Sequence, residues 1–304
     1  MFNIIGKRKY WFSLSAILVI VSLFSIALWG LNLGIDFTGG ALLEIKISGT
    51  DIPVEQIQAT LDEQGILSSA IQPTDDGVWL IRTENINEEV HQSILNGLQQ
   101  VVIASSANGE GIVTELRFES IGPTIGKELK GKAITSIIVV LIAIVIYIAL
   151  AFRKVSFPVE SWKYGLSAII ALAHDILITL GLFSVLGHFL NYQVDSLIIT
   201  ALLTIMGFSV HDTIVTFDRT RENLFKTHNL TFAEVVNNSI NETIIRSLNT
   251  SLTTLLILLS VYLFGGASIS QFILALLFGI IIGTYSSIFL ASPLLMVWYK
   301  MKKG

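Results

Sequence analysis

Asp212 is the residue whose chemistry least suits its surroundings. It lies in 207–223, GFSVHDTIVTFDRTREN, which begins as apolar helix and carries His211 and Asp212 near the end of its hydrophobic part. The segment then leaves the apolar zone through Asp218, Arg219, Arg221, Glu222 and Asn223. A carboxylate within a membrane-spanning helix costs about 2.5–3.5 kcal/mol on insertion scales, so it must face water or protein and needs a partner. Arg246 is the candidate. At 1.5 Å per residue, Asp212 lies about 26 Å from Asp195, the outer end of its span, and Arg246 about 28 Å from Gly265, the outer end of the next. Two helices running in opposite directions therefore bring acid and base to similar depth. Arg246, Asn249, Thr250, Thr253 and Thr254 recur at i, i+3, i+4 spacing, a polar stripe suited to a helix interface or a wet path. Two readings stand side by side. In one, Asp212 is protonatable with Arg246 as counter-ion, and a change in their separation loads or releases a proton. In the other, the two snorkel to the interface or form a static pair.

His174 and Asp175 are further candidates, about 16 Å in from Tyr164 and so nearer the membrane midplane. Adjacent residues on a helix point about 100° apart and do not squarely face one partner. Either is a candidate second relay member; Asp175 also reads as a satisfied structural carboxylate, because no cation is identifiable for it. His211 is a candidate relay beside Asp212 or a hydrogen-bonded interface residue. Gly207, Gly279 and Gly283 suit close helix packing, the last two forming a GxxxG pair. Asp218, Arg219, Arg221 and Glu222 also read as a solvated helix end with local ion pairs. Ser209 and His211 lie two apart on one helix and do not face each other, and no nucleophile elbow accompanies them, so an intramembrane hydrolase is disfavoured and no catalytic residue is assigned.

The elements that position these groups follow from composition and hydropathy. Of the residues, 52% are hydrophobic and only 14% charged, against about 25% charged in soluble domains, so the chain reads as a polytopic membrane protein. Without cysteine it has no disulfide, thiolate metal site or cysteine nucleophile. The histidines show no metal-ligand spacing, so no metal is expected. No long basic run marks a nucleic-acid partner. Apolar runs predict six transmembrane helices over 11–31, 131–152, 164–186, 195–217, 244–264 and 272–298. The first is too long for a signal-peptide core and lacks an A-x-A site, so it reads as an uncleaved helix. Lys7, Arg8 and Lys9 precede it; Arg153, Lys154 and Lys163 lie in 153–163; Arg219, Arg221 and Lys226 lie in 218–243; Lys300, Lys302 and Lys303 lie in 299–304. The connections 187–194 and 265–271 carry no Lys or Arg. By the positive-inside rule both termini, 1–10 and 299–304, are cytoplasmic, and 32–130 lies outside.

Within 32–130, strand alternation over 41–48, 66–72, 78–83 and 112–120 combines with helical periodicity over 53–64 and 87–104. Asp75-Asp76-Gly77 is a hairpin signal, Asn87 an N-cap, and Val90, Ile94, Leu98 and Val101 the apolar face of the second helix. The order β-α-β-β-α-β is the ferredoxin-like pattern. The fold class is thus an α-helical polytopic membrane protein with one α+β ferredoxin-like extracytoplasmic domain between helices 1 and 2.

Three motifs then carry a family resemblance. Gly34-Ile35-Asp36-Phe37-Thr38-Gly39-Gly40 resembles the GIDFTGG signature of the SecD/SecF family, whose glycines suit a tight strand entry. Asp212-Thr213-Ile214-Val215 with the Phe217–Asn223 run is similar to the fourth span of the family's SecF branch and its following loop. Asn241-Glu242-Thr243 leading to Arg246-Ser247-Leu248-Asn249-Thr250-Ser251 is similar to the fifth. The resemblance covers the whole chain and departs from the family at His211, where Asn is usual. It implies an RND-superfamily half that pairs with SecD and assists the SecYEG channel, with YajC and YidC as further partners. It also implies a bacterial cytoplasmic (inner) membrane location and use of the proton-motive force, protons being the coupling ion and no other cofactor required, to move preproteins outward. The positions matching the proton route are Asp212 and Arg246. An RND-type exporter of a small molecule or lipid, and a scaffold without proton coupling, are the alternatives.

Overall fold

The computed structural model describes residues 1–303 except 67, 75–76, 107, 153–157 and 227–228. Asp75 and Asp76 of the hairpin signal, and Arg153 and Lys154, therefore lie outside the described residues. The chain divides into two units, one of 33–133 and one of 1–32 with 134–304.

The first unit opens with a one-turn helix, α2 (Ile35–Thr38). It continues as β1 (Gly40–Ser48), α3 (Val54–Glu63), β2 (Ser68–Pro73), β3 (Val78–Thr83), α4 (Glu88–Ser105) and β4 (Ile112–Ile121). The strands form one sheet in the order β2-β3-β1-β4, and each neighbouring pair is antiparallel. Alternation decides which side is covered: Leu43, Ile45 and Ile47 of β1 and Ile81 of β3 pack against Ile57 and Leu61 of α3 and Ile94, Leu98 and Val102 of α4. Asn87 caps α4 by accepting from the Val90 N–H at 3.0 Å. The buried stripe of α4 is His91, Ile94, Leu98 and Val102, so Val101 flanks the core rather than entering it. His91 is accommodated because its ring stacks on Phe118 of β4, with centroids 3.7 Å apart.

The second unit is helical. Its helices are α1 (Arg8–Trp29), α5 (Pro123–Ala151, whose first turns belong to the other unit), α6 (Ser161–Leu190), α7 (Ser196–Lys226) and α8 (Phe232–Phe264). Then come α9 (Ala267–Ser286), a π-helical turn at Ser287–Ala291, and α10 (Ser292–Lys303). Among the described residues six segments are long and apolar enough to cross a membrane, the last comprising α9, the π turn and α10. Burial sorts them: 56, 44 and 67% of the apolar windows of α6, α7 and the last segment are buried, against 17, 6 and 11% for α1, α5 and α8. The first three are the inner helices, and the others leave most of their surface to lipid or a partner.

Helices in lipid gain little from burying one another's apolar side chains, so small residues that permit close approach set their contacts. The buried residues of α1 are all serines: Ser15, Ser22 and Ser25. Ser22 meets Gly181 of α6, Ser25 donates to the Gly181 carbonyl at 3.1 Å, and Ser184 donates to the Gly30 carbonyl at 2.7 Å. Gly279 and Gly283 of α9 are filled by Ile205 and Ser209 of α7. That GxxxG pair packs the chain against itself. Gly207 has open space where its Cβ would be and is not a packing notch.

Candidate functional site

Asp212 points inward from α7 and is 3% exposed. Ser247 of α8 lies beside it, yet among the described residues neither Asp212 Oδ2 nor Ser247 Oγ makes a hydrogen bond of normal geometry. One residue earlier on α8, Arg246 is exposed. It lines an open cleft of about 420 Å³ with Val215, Asp218, Arg219, Glu222, Glu242 and Thr243. Among the described residues no ion pair joins Asp212 to Arg246. The acid is enclosed and the base faces the cleft, so the static pair of the sequence reading is not formed in this chain. His211, next along α7, is exposed and makes no hydrogen bond among the described residues.

The polar stripe of α8 faces outward. Asn249, Thr250 and Thr253 are exposed and Thr254 is half-buried. Their hydroxyls are satisfied by their own helix: Thr250 donates to the Arg246 carbonyl at 3.0 Å, Thr253 to Asn249 at 3.0 Å and Thr254 to Thr250 at 3.0 Å. The buried polar face is instead Thr243, Ser247 and Ser251 at i, i+4, i+8. Thr243 Oγ1 lies 3.2 Å from Thr216 Oγ1 of α7, and Ser251 Oγ lies 2.6 Å from Thr284 Oγ1 of α9. In the sequence Thr243, Ser247 and Ser251 stand inside the family motif of the fifth span, without being marked as the buried face. Their four-residue spacing was the available signal.

His174 and Asp175 of α6 form a second polar centre, Asp175 being 0% exposed and His174 4%. Despite their divergence on the helix, His174 Nδ1 approaches Asp175 Oδ1 at 3.0 Å. Asp175 Oδ2 accepts from Ser209 of α7 at 2.6 Å and from Ser286 of α9 at 2.8 Å. The partner that the sequence did not supply is a pair of serine hydroxyls from two other helices.

The remaining motif residues have structural positions. Gly34 precedes α2, and Gly39 and Gly40 lead into β1 with φ of 78° and 131°. A Cβ on Gly40 would lie 2.7 Å from the Thr83 carbonyl oxygen of the neighbouring strand, so the second glycine serves both backbone conformation and close approach. Asp36 lies within α2 itself. At the end of α7, Asp218 pairs with Arg221 at 2.6 Å, and Arg219 pairs with Glu222 at 2.5 Å and with Glu242 of α8. Asn223 Nδ2 donates to Ser239 Oγ and Glu242 Oε2, both at 3.0 Å. The Asp218–Arg221 and Arg219–Glu222 pairs are local to the end of α7, as the sequence reading had them, whereas Arg219 and Asn223 also tie α7 to α8 through Glu242 and Ser239.

A family model described as protein export membrane protein SecD/SecF, C-terminal, matches residues 101–301. A second, the SecD/SecF GG motif, matches residues 24–51. The protein translocase subunit SecF of Anaerolinea thermophila is 40% identical over 300 residues, covering 98% of this chain and 94% of the relative. The SecF of Thermobaculum terrenum is 40% identical over 308 residues, covering 98% and 94%. Among solved structures, SecDF from Thermus, a translocon-associated membrane protein, matches with TM-score 0.82 at 34% identity. That match covers 98% of this chain and 39% of the longer SecDF chain. SecDF in a super-membrane-facing form gives 0.69 at 33% identity, covering 99% and 39%.

Proposed function

Because the chain belongs to the SecD/SecF family of protein export membrane proteins, we propose that it is the SecF-type subunit of a preprotein translocase. In this reading it works beside a SecD-type subunit and the SecYEG channel, in the cytoplasmic membrane, and uses the proton-motive force. Both termini are cytoplasmic. The sheet domain is ferredoxin-like and extracytoplasmic, and it holds the emerging preprotein against backsliding.

The observation that carries the reading is the unequal placement of Asp212 and Arg246. A buried carboxyl whose Oδ2 makes no hydrogen bond among the described residues calls for a cation or a proton. A guanidinium one residue from its neighbour Ser247, and open to a polar cleft, is free to approach or withdraw. One proton crossing 100 mV releases about 2.3 kcal/mol, which biases a two-state equilibrium about fiftyfold if coupling is tight. The outward polar face of α8 supports a second subunit, since Arg, Asn and Thr side chains at membrane depth favour protein or water over lipid.

The test uses inverted vesicles containing SecYEG and the SecD-type subunit, with a model preprotein arrested part-way and ATP then removed. Vesicles that also contain this chain complete translocation when a proton gradient is imposed, and vesicles without it do not. Completion that ignores the gradient with the chain present contradicts the proposal.

A further inference from the structure

Asp175 is buried, ionisable and unused by the reading above. Its Oδ2 joins the three inner helices. Oδ1 faces His174 on α6, while Oδ2 accepts from Ser209 on α7 and Ser286 on α9. One buried carboxyl group thus joins α6 to both α7 and α9 at hydrogen-bond distance, and buried polar groups left without such partners are costly. Ser209 is held from its other side too. Its carbonyl accepts from Ser287 Oγ at 2.9 Å and from Thr213 Oγ1 at 3.2 Å, and the Ser287 and Thr213 hydroxyls lie 2.9 Å apart.

Ser209 is three residues before Asp212, one helical turn or about 4.5 Å along the axis. Whatever fixes Ser209 therefore fixes the rotation and depth of Asp212. On the α9 side the same contact ends at Ser286, and the π turn starts at Ser287. Such turns carry one extra residue per turn, are uncommon, and gather at functional sites. Close approach is built into the backbone, because a Cβ on Gly283 would lie 2.9 Å from Ser209 Cβ.

We propose that Asp175 is a positioning residue for Asp212: its carboxylate, through Ser209 and Ser286, sets where α7 sits against α9 and so the environment in which Asp212 takes up and gives back its proton. This rests on the proton-coupled reading of Asp212. The groups facing Asp175 are His174 on its own helix, Ser209 from α7 and Ser286 from α9. Tyr285 of α9 stacks on the His174 ring with centroids 6.2 Å apart, and the Tyr285 hydroxyl donates to the Trp11 carbonyl of α1 at 3.0 Å. Among the described residues no lysine or arginine is paired with Asp175.

The experiment uses the full chain assembled with its SecD-type partner and SecYEG in vesicles. Two readouts are taken across pH: gradient-driven completion of translocation, and modification of the Asp212 carboxyl by a lipid-permeant carbodiimide, located by peptide mass. Asp175→Asn keeps the volume and one acceptor oxygen, and the Ser209→Ala/Ser286→Ala pair removes the donors while leaving the acid. Both lower gradient-driven completion by about tenfold, within the range that changes in packed coupling networks produce. Both also shift the pH at which Asp212 is modified. Unchanged pH profiles in assembled Asp175→Asn overturn the proposal. Should that variant fail to assemble, unchanged profiles in the double serine variant overturn it equally. If wild-type completion is itself indifferent to the gradient, the proton-coupled reading fails. A shift in Asp212 modification would then still report positioning.

Discussion

Asp212 was legible from its cost alone, since an acid in an apolar helix demands an explanation whatever its neighbours. Its surroundings were not. Ser247 beside it, and Ser209 and Ser286 on Asp175, are ordinary serines in apolar helices. The two on Asp175 lie 34 and 111 residues from it in sequence, so nothing local announces them. Distance from water separates the energetically important polar contacts from the rest. Arg219→Gln removes ties to Glu222 and Glu242 between side chains about two-fifths exposed. The expected loss in denaturant unfolding is small, because exposed ion pairs are screened by water and salt. Gly40→Ala is the opposite case. It places a Cβ 2.7 Å from the Thr83 carbonyl at a φ of +131°, and the expected loss of stability is about 1–3 kcal/mol. Thermal or urea unfolding of the purified chain decides both, and equal effects would contradict the burial argument.

Among the elements, α8 shows where a sequence pattern runs out. It carries two polar faces: 246, 249, 250, 253 and 254 on one, and 243, 247 and 251 on the other. Helical periodicity reports both faces and cannot say which the chain itself covers. The sheet unit was easier, because strand alternation and the Asn87 cap act over a few residues. The four-residue α2 escaped, too short for a period to register, as did the polar first turns of α5 from Pro123. The glycines of the inner helices give a paired prediction. Gly283→Leu drives a side chain into Ser209 of α7 and should abolish the folded monomer in detergent-resistance and melting assays. Gly207→Ala meets open space and should be neutral or stabilise by about 0.5–1 kcal/mol, the usual gain on removing a helix-interior glycine. A tolerated Gly283→Leu would contradict the packing described. The sheet unit also has an acid-side dependence. Hydrogen bonds from Gln92 and His91 hold the Glu88 carboxyl below the usual carboxylate range. A lowered folded value contributes stability that is present above the unfolded value and lost as pH falls through the folded one. Glu88→Gln should therefore flatten the acid limb of amide-exchange protection along α4, and an unchanged limb would contradict it.

At the scale of the whole molecule, three inner helices are held together by serine hydroxyls, glycine notches and one buried acid, and three outer helices are open. The exposed polar face of α8 divides the outer surface into what lipid can cover and what a subunit should. Since the chain has no cysteine, single cysteines can map that division. Thr253→Cys should react with a lipid-permeant maleimide in the chain alone and be protected when the SecD-type subunit is present. Ser251→Cys, placed on the buried face, should stay unreactive in both. Equal labelling at 253 with and without the subunit would remove α8 from the interface. Six spans were readable from hydropathy, because a bilayer imposes length and apolarity directly. Which helices lie inside was not readable, because inner and outer spans are similarly apolar.

Proton exchange at Asp212, with Arg246 approaching and withdrawing as proposed, is tested by comparing three chains in the vesicle system after ATP is removed. Wild type should complete translocation only under an imposed proton gradient, whereas Asp212→Asn and Arg246→Met should assemble normally with the SecD-type subunit and fail to respond. Gradient-dependent completion by both variants at the wild-type rate would contradict the account and leave the two residues without a part in coupling.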